Sequence, residues 1–254
     1  MLGLFLKKWL SYTINTPKDP NVKAMKKRLY LLCPFLIFYA CSNSDDSPET
    51  ISGTLEYTTI GNHQFTLEAQ QITATITLIG GGGGGGGGAP YESGVNATSG
   101  GGGGGAGQLL IMESVALKDQ TVYTVFVPPG GNGGNVGFPG GDGLAASVSE
   151  GNTVLLEGLS GKPGQPGPKD AMEASSGGAG YPNGENGGGG STLDANGNAT
   201  AGVSGLGGNN GTAYGYGGNG GIGTGFNNNQ ASPTMPGTQG GPGYVKIEWT
   251  GIQN

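Results

Sequence analysis

Hydrophobic and polar residues alternate most cleanly from Ile72 to Leu78, where Ile72, Ala74, Ile76 and Leu78 are separated by Thr73, Thr75 and Thr77. A period of two marks a strand with one buried face. Shorter runs of the same kind stand at residues 64–68, 109–115, 121–127 and 154–157. The last, 244–249, sets Val245, Ile247 and Trp249 on one side. After residue 41 no stretch repeats its apolar residues at helical spacing. The pattern predicts an all-β fold.

Between these runs the composition changes. The 254 residues include 59 Gly and 15 Pro, yet only Gly3, Gly53 and Gly61 precede residue 80. Unbroken glycine fills 80–88 and 100–105, and glycine-rich mixtures fill 130–143, 158–167 and most of 177–243. Interior glycines cost a helix about 1 kcal/mol each, so an ordinary α/β enzyme is not expected. Collagen is excluded too, because its triplet register keeps breaking here. Glycine does recur at every third position in Gly131, Gly134, Gly137, Gly140 and Gly143. It does so again in Gly158, Gly161, Gly164 and Gly167, and in Gly202, Gly205, Gly208 and Gly211. Three residues per turn is the polyproline-II period. Such segments could be solvated linker, or extended helices packed side by side with backbone bonds between neighbours. They interrupt the strands repeatedly and return the chain to a last strand, which favours the packed form: an antiparallel β-sandwich with an inserted bundle of polyglycine-II helices.

Charge divides the chain as sharply. Lys7, Lys8, Lys18, Lys23, Lys26, Lys27 and Arg28 all fall within the first 40 residues, and only Lys118, Lys162, Lys169 and Lys246 follow. The body is therefore acidic and lacks the phosphate contacts that nucleic acid binding needs. Lys26-Lys27-Arg28 and the apolar run 29–38 form a basic n-region and a short h-region, too short to span a membrane. Ala40-Cys41 and the polar stretch after it resemble the lipobox of bacterial lipoproteins. That resemblance implies cleavage before Cys41 and a covalent lipid anchor on it, the one cofactor-like group expected. Ser44, Asp45 and Asp46 resemble the acidic surface-export signal of Bacteroidota lipoproteins. The expected organisation has an extension over 1–24 upstream of the initiator Met25, a signal peptide over 25–40 and an acidic tether over 41–52. The glycine-rich β-sandwich domain then occupies 53–254.

The layout from Ile79-Gly80 into unbroken glycine, through Gly105-Ala106-Gly107 and Val125-Phe126-Val127-Pro128-Pro129-Gly130, to Gly240-Gly241-Pro242-Gly243-Tyr244 resembles bacterial and phage glycine-rich domains. It is similar to the tip adhesin of T-even phage long tail fibres and to the glycine-rich region of the anaplastic lymphoma kinase receptor. The resemblance implies a jelly-roll-like sandwich carrying polyglycine-II helices.

Catalytic chemistry finds little footing. His63 is the only histidine, and no cysteine follows Cys41, so thiolate catalysis and zinc or multi-histidine metal sites are not expected. The abundant G-x-G-x-x-G matches follow from composition, since none opens a helix. Tyr91, Phe138, Tyr181, Tyr214, Tyr216 and Phe226, set among glycines, are the candidate contact residues. Aromatic faces on a stiff platform suit glycan or protein contact, and the same rings could instead cap the glycine helices. The expected function is a non-enzymatic recognition or adhesion module, lipid-anchored in the outer membrane and facing the exterior. The alternatives are an accessory subunit docked to an outer-membrane protein complex and, third, an ice-binding surface.

Overall fold

The computed structural model describes residues 48–91, 97–169, 173–190, 196, 198–227 and 230–253. Cys41, Ser44, Asp45 and Asp46 lie outside these. The chain divides into Met1–Pro48 and Glu49–Asn254, and the second unit is described here. No helix occurs among the described residues, so none is long and apolar enough to cross a membrane.

Eight strands form two antiparallel four-stranded sheets. One has the order β1 (Thr50–Tyr57), β10 (Tyr244–Ile252), β3 (Gln70–Ile79), β4 (Leu109–Leu117). The other runs β2 (Gly61–Phe65), β5 (Tyr123–Val127), β6 (Ala146–Glu150), β7 (Thr153–Gly158). A small hairpin, β8 (Phe226–Asn227) and β9 (Gln230–Ala231), stands apart. The sheets face each other across one apolar layer. Ile72, Ala74, Ile76 and Leu78 of β3 meet Val245 and Ile247 of β10 on one side, and Tyr123, Val125, Val127 and Val148 on the other. This is the antiparallel β-sandwich, with β10 returning from the far end of the chain to lie between β1 and β3.

Besides the small hairpin, two strands of the sandwich escape the expected set. β1 takes in Thr50, Ile51 and Ser52, the end of the stretch read as tether, because Ile51, Gly53, Leu55 and Tyr57 alternate with polar neighbours and pair with β10. Gly53 has a reason of its own: a Cβ there would stand 2.8 Å from the indole Nε1 of Trp249, which lies across it. β6 is built from Ala146, Val148 and serines, small residues that give a weak strand signal, yet Ala146 and Val148 bury fully.

All the glycine segments leave and rejoin the sandwich at one pole. They connect the end of β3 to the start of β4, the end of β5 to the start of β6, and the end of β7 to the start of β10. There Ile79 pairs with Tyr244 and Leu109, and Gly243 donates to Pro128 O. The chain enters β1 at the other pole, where Thr50 pairs with Ile252 and Gln253 N donates to Glu49 O.

The glycine segments run up and down beside one another. Segment 80–89 donates every backbone N–H, and its acceptors cycle with period three. Gly80, Gly83 and Gly86 donate to Gln108, Gly105 and Gly102. Gly81, Gly84 and Gly87 donate to Leu144, Gly141 and Phe138, and Gly82, Gly85 and Gly88 to Gly241, Thr238 and Met235. Its carbonyls accept from three further segments in the same rhythm, through Gly131 and Gly134, Gly161 and Gly164, and Gly218 and Gly221. Segment 80–89 is therefore enclosed on six sides, and segment 97–108 likewise by 80–89, 159–167, 175–181, 182–190, 199–208 and 215–225. That enclosure is why these two segments are nearly pure glycine. None of Gly80–Gly88 has a left-handed φ, but a Cβ on any of them would fall inside a neighbour's carbonyl, as at Gly84 against Asn132. The surrounding segments need glycine only where they face inward, and Gly161, Gly164 and Gly167 donate to Gly81, Gly84 and Gly87.

Candidate functional site

Because the segments alternate in direction, the six candidate aromatics separate into two groups. Tyr91, Phe138 and Phe226 lie at the pole of the bundle farthest from the sandwich. Tyr181, Tyr214 and Tyr216 lie at its base.

At the far pole Tyr91 meets Phe226 edge-on, ring centroids 5.6 Å apart. Gly137, at φ +78°, turns the chain beneath Pro90 and delivers Phe138 to the surface. Phe138 is 64% exposed and Tyr91 48%, while Phe226 is half-buried and held by its pairing with Ala231 and Ala199. Beneath them a buried hydroxyl layer closes the last turn. Thr98 Oγ1 donates to Ala89 O at 2.9 Å and accepts from Thr224 N at 2.6 Å. The far pole is thus an aromatic surface on a bonded floor, an arrangement suited to face-to-face contact.

At the base Tyr214 stacks on Tyr244 at 4.7 Å and is half-buried, filling the joint between bundle and sandwich. Tyr216 lies flat over Gly241, where a Cβ would meet its ring at 2.6 Å, and remains 43% exposed. Tyr181, 46% exposed, borders a shallow groove with Leu159, Lys162, Ala179 and Asn183. Of these two tyrosines, one residue apart in the sequence, the fold turns only Tyr216 outward.

Tyr244 itself is a sequence-invisible part of this joint. Its hydroxyl donates to Glu56 Oε1 at 2.9 Å. Burial, and then the bond to Glu56, push its phenol up to about 12 from the ordinary 10.0. The native state holds the phenol neutral. The stability this contributes is therefore complete below about pH 10 and is lost as pH rises from about 10 to about 12. Alkaline unfolding curves of Tyr244→Phe should lack that component of the decline, with a loss of about 1 kcal/mol at neutral pH for the missing bond.

Several titratable groups elsewhere make structural contacts. His63 Nε2 lies 2.7 Å from Thr59 O and its ring rests against Tyr57. Lys118, Lys162 and Lys246 pair with Glu150, Asp142 and Glu248 at 2.6, 3.2 and 2.9 Å. Among the described residues no three His, Cys, Asp or Glu side chains gather closely enough to hold a metal ion.

A β-sandwich whose loops are replaced by a bonded glycine bundle defines an all-β, glycine-rich class of protein. Residues 58–253 match the family described as the glycine-rich domain, and the chain belongs to that family. No curated protein matches it.

Proposed function

We propose that this chain is a non-enzymatic recognition or adhesion module of the outer membrane, held by lipid on Cys41 and facing the exterior. The three-residue bonding rhythm supports reading the bundle as polyglycine-II helices. The observation that carries the proposal is polarity. The chain enters the domain at Thr50, on the pole opposite the bundle, and Cys41 lies a short way before it. An anchor there would leave Tyr91, Phe138 and Phe226 at the outermost point. At about 3.1 Å per residue, segment 80–89 would lift them roughly 30 Å beyond the sheets. Stiffness limits the ordering entropy lost on contact.

The test is binding of the purified full chain to a glycan array and to intact cells, beside a Tyr91→Ala/Phe138→Ala variant. Saturable binding that falls at least about tenfold in the variant, equivalent to 1.4 kcal/mol, is expected, with the unfolding midpoint unchanged. Binding that persists in the variant would move the contact surface elsewhere, and no binding to any glycan or cell would end the adhesion reading.

A second reading, an accessory subunit of an outer-membrane complex, has its own support. Leu109, Ile111 and Met112 of β4 and Val154 and Leu155 of β7 are exposed on the unpaired edge strands of the two sheets. Exposed apolar patches of this kind mark protein contacts. Stoichiometric co-purification with a barrel protein in gentle detergent, lost in Ile111→Asp, is the expected result under that reading.

A further inference from the structure

Asparagine followed by glycine is the dipeptide most open to spontaneous cyclisation, because the glycine nitrogen has no side chain beside it to shield it. The chain carries this pair at Asn132, Asn183, Asn186, Asn196, Asn210 and Asn219. Gly197 lies outside the described residues, which leaves the other pairs to compare. Cyclisation swings the asparagine carboxamide onto the glycine nitrogen, so a hydrogen bond on either group must break first.

All but one of these pairs are locked twice. Asn183 Oδ1 accepts from Gly180 N at 2.8 Å while Gly184 N donates to Gly178 O at 2.8 Å. Asn186 Oδ1 accepts from Gly177 N at 2.9 Å, and Gly187 N donates to Ser175 Oγ at 3.2 Å. Asn219 Oδ1 accepts from Gly207 N at 2.9 Å, and Gly220 N donates to Gly205 O at 2.8 Å. Asn210 is held by Thr212 and by Gly107 O, and Gly211 N donates to Asn209 Oδ1.

Asn132-Gly133 has neither lock. Among the described residues the Asn132 side chain makes no hydrogen bond and Gly133 N meets no acceptor. Exposure is not the difference, since Asn183, Asn186 and Asn219 are exposed as Asn132 is. Nor is the flanking backbone. Gly131 N and Gly134 N donate to Gly82 and Gly85, much as Glu185 N and Gly218 N donate to Leu206 and Gly83 beside Asn186 and Asn219. The contrast lies in the two reacting groups themselves.

We propose that Asn132 is a modification site, where the chain converts its own asparagine into aspartate and isoaspartate. Gly133 N bonds to Asn132 Cγ, the Cγ–Nδ2 bond breaks, and ammonia leaves with the proton given up by Gly133 N. Water then opens the cyclic imide. Opening at Cγ leaves aspartate. Opening at the main-chain carbonyl leaves isoaspartate, whose backbone runs through Cβ and Cγ and is longer by a methylene. Segment 129–137 has no room for that length. Gly131, Gly134 and Gly137 donate to Gly82, Gly85 and Gly88 in step, and the added methylene falls between the first of them and the other two. Isoaspartate therefore frees Gly134 and Gly137 from segment 80–89, and with them the turn that delivers Phe138 to the far pole. This holds whatever the far pole binds.

The experiment ages the purified full chain at mildly alkaline pH, in buffer and in urea, and maps it by peptide mass spectrometry with enzymatic labelling of isoaspartate. In buffer Asn132 should convert at least about tenfold faster than Asn183, Asn186, Asn210 or Asn219, the factor expected when two hydrogen bonds need not break first. In urea all of them should convert at comparable rates. The isoaspartyl fraction should lose amide-exchange protection at Gly134 and Gly137. Asn132→Asp, which adds the same charge without the methylene, should keep that protection, and Asn132→Ala should keep it throughout ageing. A locked asparagine that converts in buffer as fast as Asn132 would overturn the proposal. So would an Asn132 that stays intact while the chain in urea converts, or an isoaspartyl form with full protection.

Discussion

Gly84→Ala is expected to destabilise the domain by about 4 kcal/mol or more, the range reserved for a disrupted core. The argument rests on a reversal of sign. Gly84 does not have a left-handed φ, so in a roomy site alanine would stabilise by about 0.4–1 kcal/mol through the unfolded chain. Here the added methyl would be driven into the carbonyl of Asn132, while Gly84 N donates to Gly141 O at 2.9 Å and Gly84 O accepts from Gly164 N at 2.9 Å. Relief in any direction must break one of those bonds, because all six sides are occupied. Ala106 is the natural control. It is fully buried in the other enclosed segment near its base, so the bundle accepts a methyl where the neighbours leave room for one. Gly141→Ala is the engineered control, since its Cβ would come no nearer than 3.1 Å to Asn132 N. Denaturant unfolding of the three proteins should place Gly141→Ala within about 1 kcal/mol of the parent and Gly84→Ala far below it. A mild Gly84→Ala would mean that the segments can slide, and that the bonding rhythm is not what holds the bundle.

Much of the sandwich was legible because its strands obey one rule. β3 alternates from Ile72 to Leu78 and β10 from Val245 to Trp249, and the residues this places inside, Ile72, Ala74, Ile76, Leu78, Val245 and Ile247, are buried. β1 carries the same alternation, but Gly53 stands where an apolar residue would be, and its purpose lies on another strand, in Trp249. The glycine register was visible without its meaning. Gly131, Gly134 and Gly137 look alike whether they arise from composition or from contact, and only the partners Gly82, Gly85 and Gly88 distinguish the two. The register also ends where the contacts end: Gly211 continues the spacing of Gly202, Gly205 and Gly208 but sits in a turn at φ +79°. The aromatics were legible as a set and not as a site. Which pole each reaches depends on the direction of its segment, and the direction reverses at turns such as Gly137 and Gly215 that one-dimensional spacing does not record.

Truncation before Tyr244 should abolish cooperative folding of the sandwich. β10 is the last strand in the sequence but an inner strand of its sheet, pairing with β1 over Tyr57–Thr50 and with β3 over Ile79–Gln70. Without it β1 has no partner, and Ile76 and Leu78 lose one side of their cover. Val245 and Ile247, both fully buried, would themselves account for about 1.5–3 kcal/mol each. With the two ladders of backbone bonds, the loss approaches the whole 5–15 kcal/mol by which domains are stable. Removing only Gln253 and Asn254 is the control, because the described bond lost there is the single one from Gln253 N to Glu49 O. Amide exchange gives the more informative reading. If Gly83–Gly88 exchange as fast as β3 in the truncated chain, bundle and sandwich fold as one unit, joined where Gly243 bonds to Pro128 and Tyr214 stacks on Tyr244. If those glycines stay protected while β3 opens, the bundle stands alone. In that case the sandwich serves to mount the bundle, and the far pole would keep its shape on any support that held the bases of the segments together.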